Sequence, residues 1–229
     1  MFIRMNNKHN IKLAMKEDEK QNLTINFKSN LLLGPSKQLT ISKEFIELTK
    51  AGKSTEKAIR FDKADIVAYR FGIKWISGYA FTIGREYHIF VKDKADREMK
   101  ISLQSLYGFK KAVLGEQYSE IMQSLWVNHF KDLANAYLKQ LSEGNTVTLC
   151  GVQLTQQDVT IETKNRLTNK KIVIPWEQIG TKDYYTYYAL FSTENPADIN
   201  RGYYYIDEWN AGILYTVVET LKEQFSESN

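Results

Sequence analysis

The chain contains residues that could perform acid–base, nucleophilic or metal chemistry, but their spacing matches none of the common catalytic or metal-binding motifs. Its three histidines, His9, His88 and His129, are scattered, and no HExxH, CxxC or GxSxG pattern is present. A phosphate-binding loop and a dinucleotide glycine fingerprint are also missing. The sequence therefore predicts a protein that is not an enzyme and that has no cofactor and no metal site.

The only cysteine, Cys150, lies in the apolar run TVTLCG, where a buried, inert thiol is expected rather than a nucleophile. One cysteine cannot form an internal disulfide, which indicates a reducing compartment. The N-terminal residues contain no apolar signal region, and no stretch approaches the roughly 18 apolar residues of a membrane span. The expected location is the cytoplasm. If a catalytic site exists, we expect it between the two halves of the chain, with Arg70, Asp65 and Tyr87 as first candidates.

The residues best suited to binding lie in FGIKWISGYAFTIGREYHIF, which is predicted to form a long hairpin. Its tip, residues 76–84, is too apolar for an ordinary turn, and basic residues flank it. Aromatic side chains with basic neighbours are suited to docking on a protein or peptide, or to inserting at an anionic membrane surface. The alternative is that the tip packs against a helix or the other half. The predicted binding residues are Arg70, Lys74, Trp75, Tyr79, Phe81 and Arg85.

Basic residues also cluster in the segments KAGKSTEK and KNRLTNKK, which are predicted to be loops. Residues 1–144 hold 24 Lys and Arg against 16 Asp and Glu, whereas residues 145–229 hold 7 against 11. A basic half favours phosphate-rich partners or attraction to an acidic half. Nucleic acid is not an expected partner, because the aromatic residues do not interleave with the basic ones. The alternative is that these residues are only solvated surface charges. The candidate anion-binding residues are Lys50, Lys53, Lys57, Lys164, Arg166, Lys170 and Lys171.

Alternation of apolar and polar residues predicts the strands that must position these side chains. In DIVAYRFGIKW, every second residue from Val67 to Trp75 falls on one face, which is typical of a strand with one buried side. Apolar residues then step by three and four, which predicts a long helix over residues 117–142 ending near Gly144. The apolar residues predicted to share one face of this helix are Met122, Leu125, Trp126, Phe130, Leu133, Tyr137 and Leu141.

Short strands follow again, and a second helix is predicted over residues 208–225 with Asp207 as its N-cap. Seven of the 14 tyrosines lie between Tyr184 and Tyr205. We predict that TKDYYTYYALFS, residues 181–192, is a central strand. Because successive side chains of a strand point to opposite faces, its tyrosines must divide between the core and the surface.

The order of strands followed by a helix thus occurs twice, and one offset relates the two copies. Adding 113 to Ile41, Ile46 and Leu48 gives Leu154, Val159 and Ile161. The same offset carries Lys57, Ile59, Phe61 and Ile66 onto Lys170, Ile172, Ile174 and Ile179 without a gap. This constant phase predicts an internal duplication.

Strands followed by a helix indicate an α+β fold with antiparallel sheets. The stretches IVIPWEQIGT and YYYIDEWNAGILYTVVETL resemble the pleckstrin-homology-like (PH-like) domains of bacterial proteins. The first copy departs from this pattern, with Phe61-Asp62-Lys63 in place of Ile174-Pro175-Trp176. The resemblance implies two bent antiparallel sheets or open barrels of about 6–7 strands, each capped by a C-terminal helix. It implies no activity.

The expected organisation is a flexible arm over residues 1–21, a first PH-like unit over 22–144 and a second over 145–229. The expected function is a non-catalytic binding or scaffold module. A protein or peptide is the first expected partner, and an anionic membrane surface is the second. A homo-oligomeric structural protein is the remaining alternative.

Overall fold

The computed structural model describes residues 22–28, 36–50, 58–79, 81–165 and 168–227. For residues 164, 165, 168, 169 and 227, only the backbone is described. The described chain is an α+β protein of antiparallel sheets with one long helical region and a C-terminal helix. It divides into two compact units, Met1–Lys131 and Asp132–Asn229. The predicted arm, residues 1–21, lies outside the described residues.

The first unit contains two antiparallel sheets, one of four strands and one of three. In each sheet the spatial order of the strands is their order in the chain. A single 3₁₀ turn, Lys63–Asp65, leads from the first sheet to the second. The strands are β1 Leu23–Lys28, β2 Ser36–Ile41, β3 Phe45–Lys50, β4 Ile59–Asp62, β5 Ile66–Ser77, β6 Thr82–Asp93 and β7 Glu98–Leu106.

Alternation decides which side chains of these strands form the core. Ile89 and Val91 of β6 are buried beside Ile101 and Leu103 of β7, as period-2 patterning requires. Strand β5 departs from the predicted pattern because a bulge at Val67 interrupts its pairing with β6. The core of β5 is limited to its N-terminal half, where the largest buried side chain is Tyr69.

The long helical region begins six residues earlier than the sequence predicted and ends at the predicted residue. It consists of α1 (Lys111–Leu125), a π-helical turn (Trp126–Phe130) and α2 (Lys131–Ser142). The π turn adds one residue to the helical repeat, so Leu125 and Phe130, five residues apart, are both fully buried. The ring of Phe130 lies parallel to that of Tyr69 on β5, with 3.7 Å between the ring centres.

The second unit repeats the order of a four-stranded sheet, a 3₁₀ turn, a three-stranded sheet and a helix. The 3₁₀ turn is Trp176–Gln178. The other elements are β8 Val147–Leu149, β9 Val152–Leu154, β10 Asp158–Asn165, β11 Thr168–Pro175, β12 Ile179–Asp183, β13 Tyr187–Ser192, β14 Asn200–Tyr204 and α3 Ala211–Glu227.

Two predictions about α3 and its neighbours are wrong. The helix begins at Ala211, so Asp207 lies in the preceding turn and is not its N-cap. Cys150 lies in the turn between β8 and β9 rather than in a strand, with a positive φ of 52°. Neither backbone feature follows from residue type, because Asp favours caps and turns alike and cysteine has no preference for positive φ.

The segment TKDYYTYYALFS is a hairpin and not one strand. Strand β12 ends at Asp183 and β13 begins at Tyr187, and the N–H of Tyr184 donates to the carbonyl of Tyr187 at 2.9 Å. Alternation holds from Tyr187 onward, because Tyr188 is buried while its two neighbours are only half-buried. The predicted division of the tyrosines between two faces is therefore correct within the strands but not across the turn.

The register of the first sheet recurs in the second unit at the offset of 113. Ile46 pairs with Ile41 and Phe61, and Val159 pairs with Leu154 and Ile174. The two 3₁₀ turns, which begin at Lys63 and Trp176, are also 113 residues apart. Every one of these paired apolar residues is buried.

A hydroxyl-closed turn follows β2 and β9 at the same offset. The Ser42 hydroxyl accepts the backbone N–H groups of Glu44 and Phe45 at 3.2 and 3.1 Å. The Thr155 hydroxyl accepts those of the two corresponding residues at 3.1 and 3.0 Å. Each side chain thus satisfies two backbone donors at a reversal of the chain, as short hydroxyl residues do in turns.

Replacing Ser42 or Thr155 with Ala should lower the free energy of unfolding by about 1–2 kcal/mol, because two backbone donors lose their acceptor. The exchange variants Ser42→Thr and Thr155→Ser keep a hydroxyl at each turn. They should therefore lose less stability than the Ala variants, because the acceptor oxygen is retained. Urea unfolding measures all four. An Ala variant as stable as its exchange partner would show that the hydroxyl is not needed.

Candidate functional site

The hairpin of β5 and β6 places its tip well beyond the core of the first unit. Both strands are 12 residues long, and the N–H of Gly78 donates to the carbonyl of Phe81 at 2.7 Å to close the turn. Gly84, the last residue of the tip, must lack a side chain because a Cβ there would overlap the Ser105 carbonyl oxygen on β7. The tip is therefore held by backbone contacts on both sides.

The aromatic side chains of this tip are exposed. Tyr79 is fully exposed, and Trp75 and Phe81 are 52% and 65% exposed. The guanidinium of Arg85, the register partner of Trp75, lies 4.5 Å from the centre of the indole ring. This cation–π contact fixes the orientation of the tryptophan at the base of the tip.

A second aromatic segment lies beside the tip, and the sequence reasoning missed it. The N–H of Tyr107, just after β7, donates to the carbonyl of Ile83 at 2.6 Å. Tyr107, Phe109 and Val113 are 79%, 59% and 51% exposed. The sequence YGFKK, residues 107–111, could have indicated this segment, because it places two aromatic residues around a glycine and two lysines after them. We define the aromatic end as Trp75, Tyr79, Phe81, Tyr107, Phe109 and Val113.

The backbone between β7 and α1, residues 107–110, adopts an unusual conformation. Tyr107, Gly108 and Lys110 all have positive φ, at 50°, 72° and 53°. The left-handed conformation is ordinary for glycine but unfavourable for the other two residues. The Ser105 hydroxyl donates to the Phe109 carbonyl at 2.9 Å, and the Phe109 N–H donates to that of Leu106 at 2.9 Å. These bonds hold a strained corner, a feature that commonly marks functional segments.

Four basic side chains surround the aromatic end: Lys74, Arg85, Lys110 and Lys111. Three of these, the lysines, are exposed, and the Lys110 ammonium lies 5.8 Å from the Phe109 ring centre. Arg70, which the sequence grouped with the tip, lies farther along β5. It faces Glu98 at 3.6 Å, and its guanidinium lies 4.5 Å from the ring centre of Phe90. The structure thus places Arg70 in the sheet rather than at the tip.

The candidate anion-binding residues that the structure describes lie in strands. Lys50 is the last residue of β3, and Lys170 and Lys171 lie in β11, so these three are strand residues rather than loop residues. Lys171 stands opposite Glu162 in the register of β10 and β11. Lys53, Lys57 and Arg166 lie outside the described residues, and the side chain of Lys164 is not described.

The three residues suggested for a catalytic site are not brought together. Tyr87 lies on the buried face of β6, with its ring centre 5.1 Å from that of Tyr118 on α1. Arg70 pairs in register with Phe90, three residues along β6 and therefore on the opposite face. Asp65 lies in the 3₁₀ turn, 3.9 Å from the Lys94 ammonium.

The environments of Cys150 and His88 suppress their ionised forms. Burial raises the pKa of the Cys150 thiol to about 12, and its Sγ donates to the Trp209 carbonyl at 3.1 Å. Burial also lowers the pKa of His88, although Glu86, at 3.2 Å from Nε2, opposes that shift. The thiol is therefore protonated at neutral pH and the imidazole is uncharged. His129 lies in the π turn and is buried.

In the second unit, the tyrosines divide into a buried and an exposed set. The Tyr188 hydroxyl donates to Glu219 on α3 at 3.1 Å, and the Tyr205 hydroxyl donates to Asp183 at 2.7 Å. Burial, followed by the Glu219 charge, raises the pKa of Tyr188. On the other face, the Tyr187 ring stacks on that of Tyr184, with 4.5 Å between ring centres, and the tilted ring of Tyr204 is 5.1 Å from it. Most of this cluster is therefore engaged in building the sheet and its packing.

Comparison with known proteins does not assign a family: no protein-family model matches the chain, and no curated protein sequence is significantly similar to it. Within the described ranges, no group of three or more His, Cys, Asp or Glu residues could hold a metal ion. No helix in the described part of the chain is both long and apolar enough to cross a membrane.

Lys110 and Lys111 allow the strain of the corner to be measured. Lys110→Gly should raise the free energy of unfolding by about 0.5–1 kcal/mol, because glycine adopts the left-handed conformation without steric cost. Lys111→Gly, which removes the same charge from a residue in ordinary helical conformation, should instead lower it by about 0.5 kcal/mol. Thermal and urea unfolding distinguish the two. Equal effects of both substitutions would contradict a strained corner.

Acidification should destabilise the protein through His88. Its folded-state pKa is below the ordinary 6.5, so the unfolded chain takes up a proton first as the pH falls. Stability contributed by neutral His88 is therefore complete above the unfolded-state pKa and is lost as the pH falls below it. His88→Gln should lose less unfolding free energy than the wild type between about pH 7.5 and about pH 5.5. Urea unfolding at both pH values checks this, and equal losses would contradict it.

Proposed function

We propose that this protein is a non-catalytic binding module of two PH-like units and that the hairpin tip around Tyr79 and Phe81 engages its partner. In each unit, four antiparallel strands are followed by three more and then by a helical segment. This order is that of the PH-like superfold to which the sequence bears a resemblance. The shared register at an offset of 113 residues supports an origin by duplication.

The observation that carries the proposal is the exposure of Trp75, Tyr79 and Phe81 on the first unit's hairpin. Large aromatic side chains that project together from a turn are unfavourable in water unless a partner covers them. Aromatic rings also lose little conformational entropy on binding, which makes them effective contact residues. The exposed rings therefore favour a docking role over a purely structural one.

Binding rather than catalysis is favoured by the state of the reactive groups. The Cys150 thiol is protonated and donates a hydrogen bond to a backbone carbonyl, and the neutral His88 lies buried in the sheet. His88 pairs in register with Gly72, several residues from the aromatic tip. A thiol of this kind is also compatible with the reducing cytoplasm in which we place the protein. The partner is a protein or peptide, or an anionic membrane surface.

The double variant Tyr79→Ser, Phe81→Ser tests the docking role. It should bind its partner at least about tenfold more weakly, because two large apolar contacts are removed. The matched control is Tyr184→Ser, Tyr185→Ser, which removes two exposed rings from the corresponding hairpin turn of the second unit. Binding is measured by co-sedimentation with lipid vesicles and by affinity capture of proteins.

The control variant should retain wild-type binding in whichever assay the wild type is positive. Circular dichroism and thermal unfolding should show that both variants stay folded, since all four rings are exposed. A wild-type protein that binds in neither assay would rule out the docking role. Equal losses in the two variants would show that the hairpin of the first unit has no special part.

A further inference from the structure

We propose that the partner of the aromatic end is an anionic lipid bilayer and that the corner at residues 107–110 is a second membrane anchor beside the hairpin tip. This inference rests on the docking role proposed above and names its occupant. The corner is separated from the tip by more than 20 residues of sequence. Pairing of β6 with β7 brings the two segments to one end of the sheet.

The backbone contacts establish that the two segments are neighbours. Leu106 pairs with Gly84, and the next residue, Tyr107, is hydrogen-bonded to Ile83. Adjacent strands lie about 4.8 Å apart, and Phe81 is two residues from Ile83, or roughly 7 Å along the strand. Tyr107 and Phe81 therefore extend from the same end of the sheet. The tip and the corner are therefore both available to a surface that approaches this end of the sheet.

The composition of the aromatic end matches that of protein segments found at membrane interfaces. It contains a tryptophan, two tyrosines and two phenylalanines, which are all at least half exposed. Trp and Tyr prefer the headgroup level of a bilayer because they combine an apolar ring with a polar group. Phe81 and Phe109, one on each segment, are placed to enter the acyl boundary.

The charge around the aromatic end complements an anionic surface. From Ile66 to Arg85 the chain has three basic residues and no carboxylate, and from Met99 to Gly115 it again has three basic residues and no carboxylate. Lys74, Arg85, Lys110 and Lys111 lie nearest the exposed rings. Each basic residue close to an anionic bilayer strengthens binding by about fivefold. Glu86 stands opposite Lys74 in the register of β5 and β6, so the four cations outnumber the neighbouring carboxylates without excluding them. This excess of positive charge favours phospholipid headgroups over a protein surface of mixed charge.

The strained backbone of the corner explains how Tyr107 and Phe109 are displayed. Tyr107 and Lys110 are both in the left-handed conformation, and the side chains of Tyr107 and Phe109 are exposed to solvent at the end of the sheet. Because the segment is fixed by hydrogen bonds from Ser105 and Phe109, it would lose little conformational entropy on docking.

The test uses the full chain and two kinds of vesicle. One consists of phosphatidylcholine alone, and the other of phosphatidylcholine and phosphatidylglycerol in a two-to-one ratio. The wild type should co-sediment with the anionic vesicles and only weakly with the neutral ones. Tyr107→Ser, Phe109→Ser should bind the anionic vesicles about tenfold more weakly. Lys110→Glu, Lys111→Glu should reduce binding by a similar or larger factor and should weaken its dependence on salt.

The control Tyr184→Ser, Tyr185→Ser should bind the anionic vesicles like the wild type. Wild-type binding that is equal for both vesicles, or unaffected by the corner variants, would overturn the inference. If the corner variants bind normally while Tyr79→Ser, Phe81→Ser does not, the corner is not an anchor, yet the docking role of the tip stands. If no vesicle is bound but a purified protein partner is, and its binding needs Tyr79 and Phe81, the bilayer is the wrong occupant.

Discussion

Narrow antiparallel sheets of three or four strands cannot bury their own inner faces, and an aromatic contact with a helical segment completes each unit. In the first unit the ring of Phe130 lies flat against Tyr69 of β5. In the second, Phe225 of α3 stacks on Trp176, whose indole N–H donates to the Thr155 carbonyl at 3.1 Å. Stacked rings remove a large apolar area from water at a defined position.

The aromatic end is a consequence of strand length beyond this core. Strands β5 and β6 have 12 residues each, whereas β12 and β13, which occupy the corresponding place in the second unit, have five and six. Burial of β5 is greatest up to Tyr69 and is lost by Lys74, so the outer half of the hairpin extends into solvent. The proposed docking surface is therefore an extension of the shared topology rather than a change in it.

Local patterning predicted the elements whose two faces differ in burial. Strands β2, β3 and β10 each bury two residues that are two positions apart, so their buried residues and their shared register could be predicted. Local patterning failed where the backbone departs from a regular period. The π turn before Lys131, the bulge at Val67 and the left-handed corner at Tyr107 each change the phase without any distinctive residue type.

The sequence by itself determined the core positions of the regular strands, where the two sets of strands correspond, and that reactive side chains follow no catalytic spacing. These properties depend on neighbours a few residues apart. Only the tertiary structure decided that Tyr79 and Phe81 are exposed and that Tyr107 and Phe109 join them at one end of a sheet. The reason is that exposure and proximity depend on pairing between distant strands, and hydrophobicity alone cannot distinguish a buried aromatic residue from a displayed one.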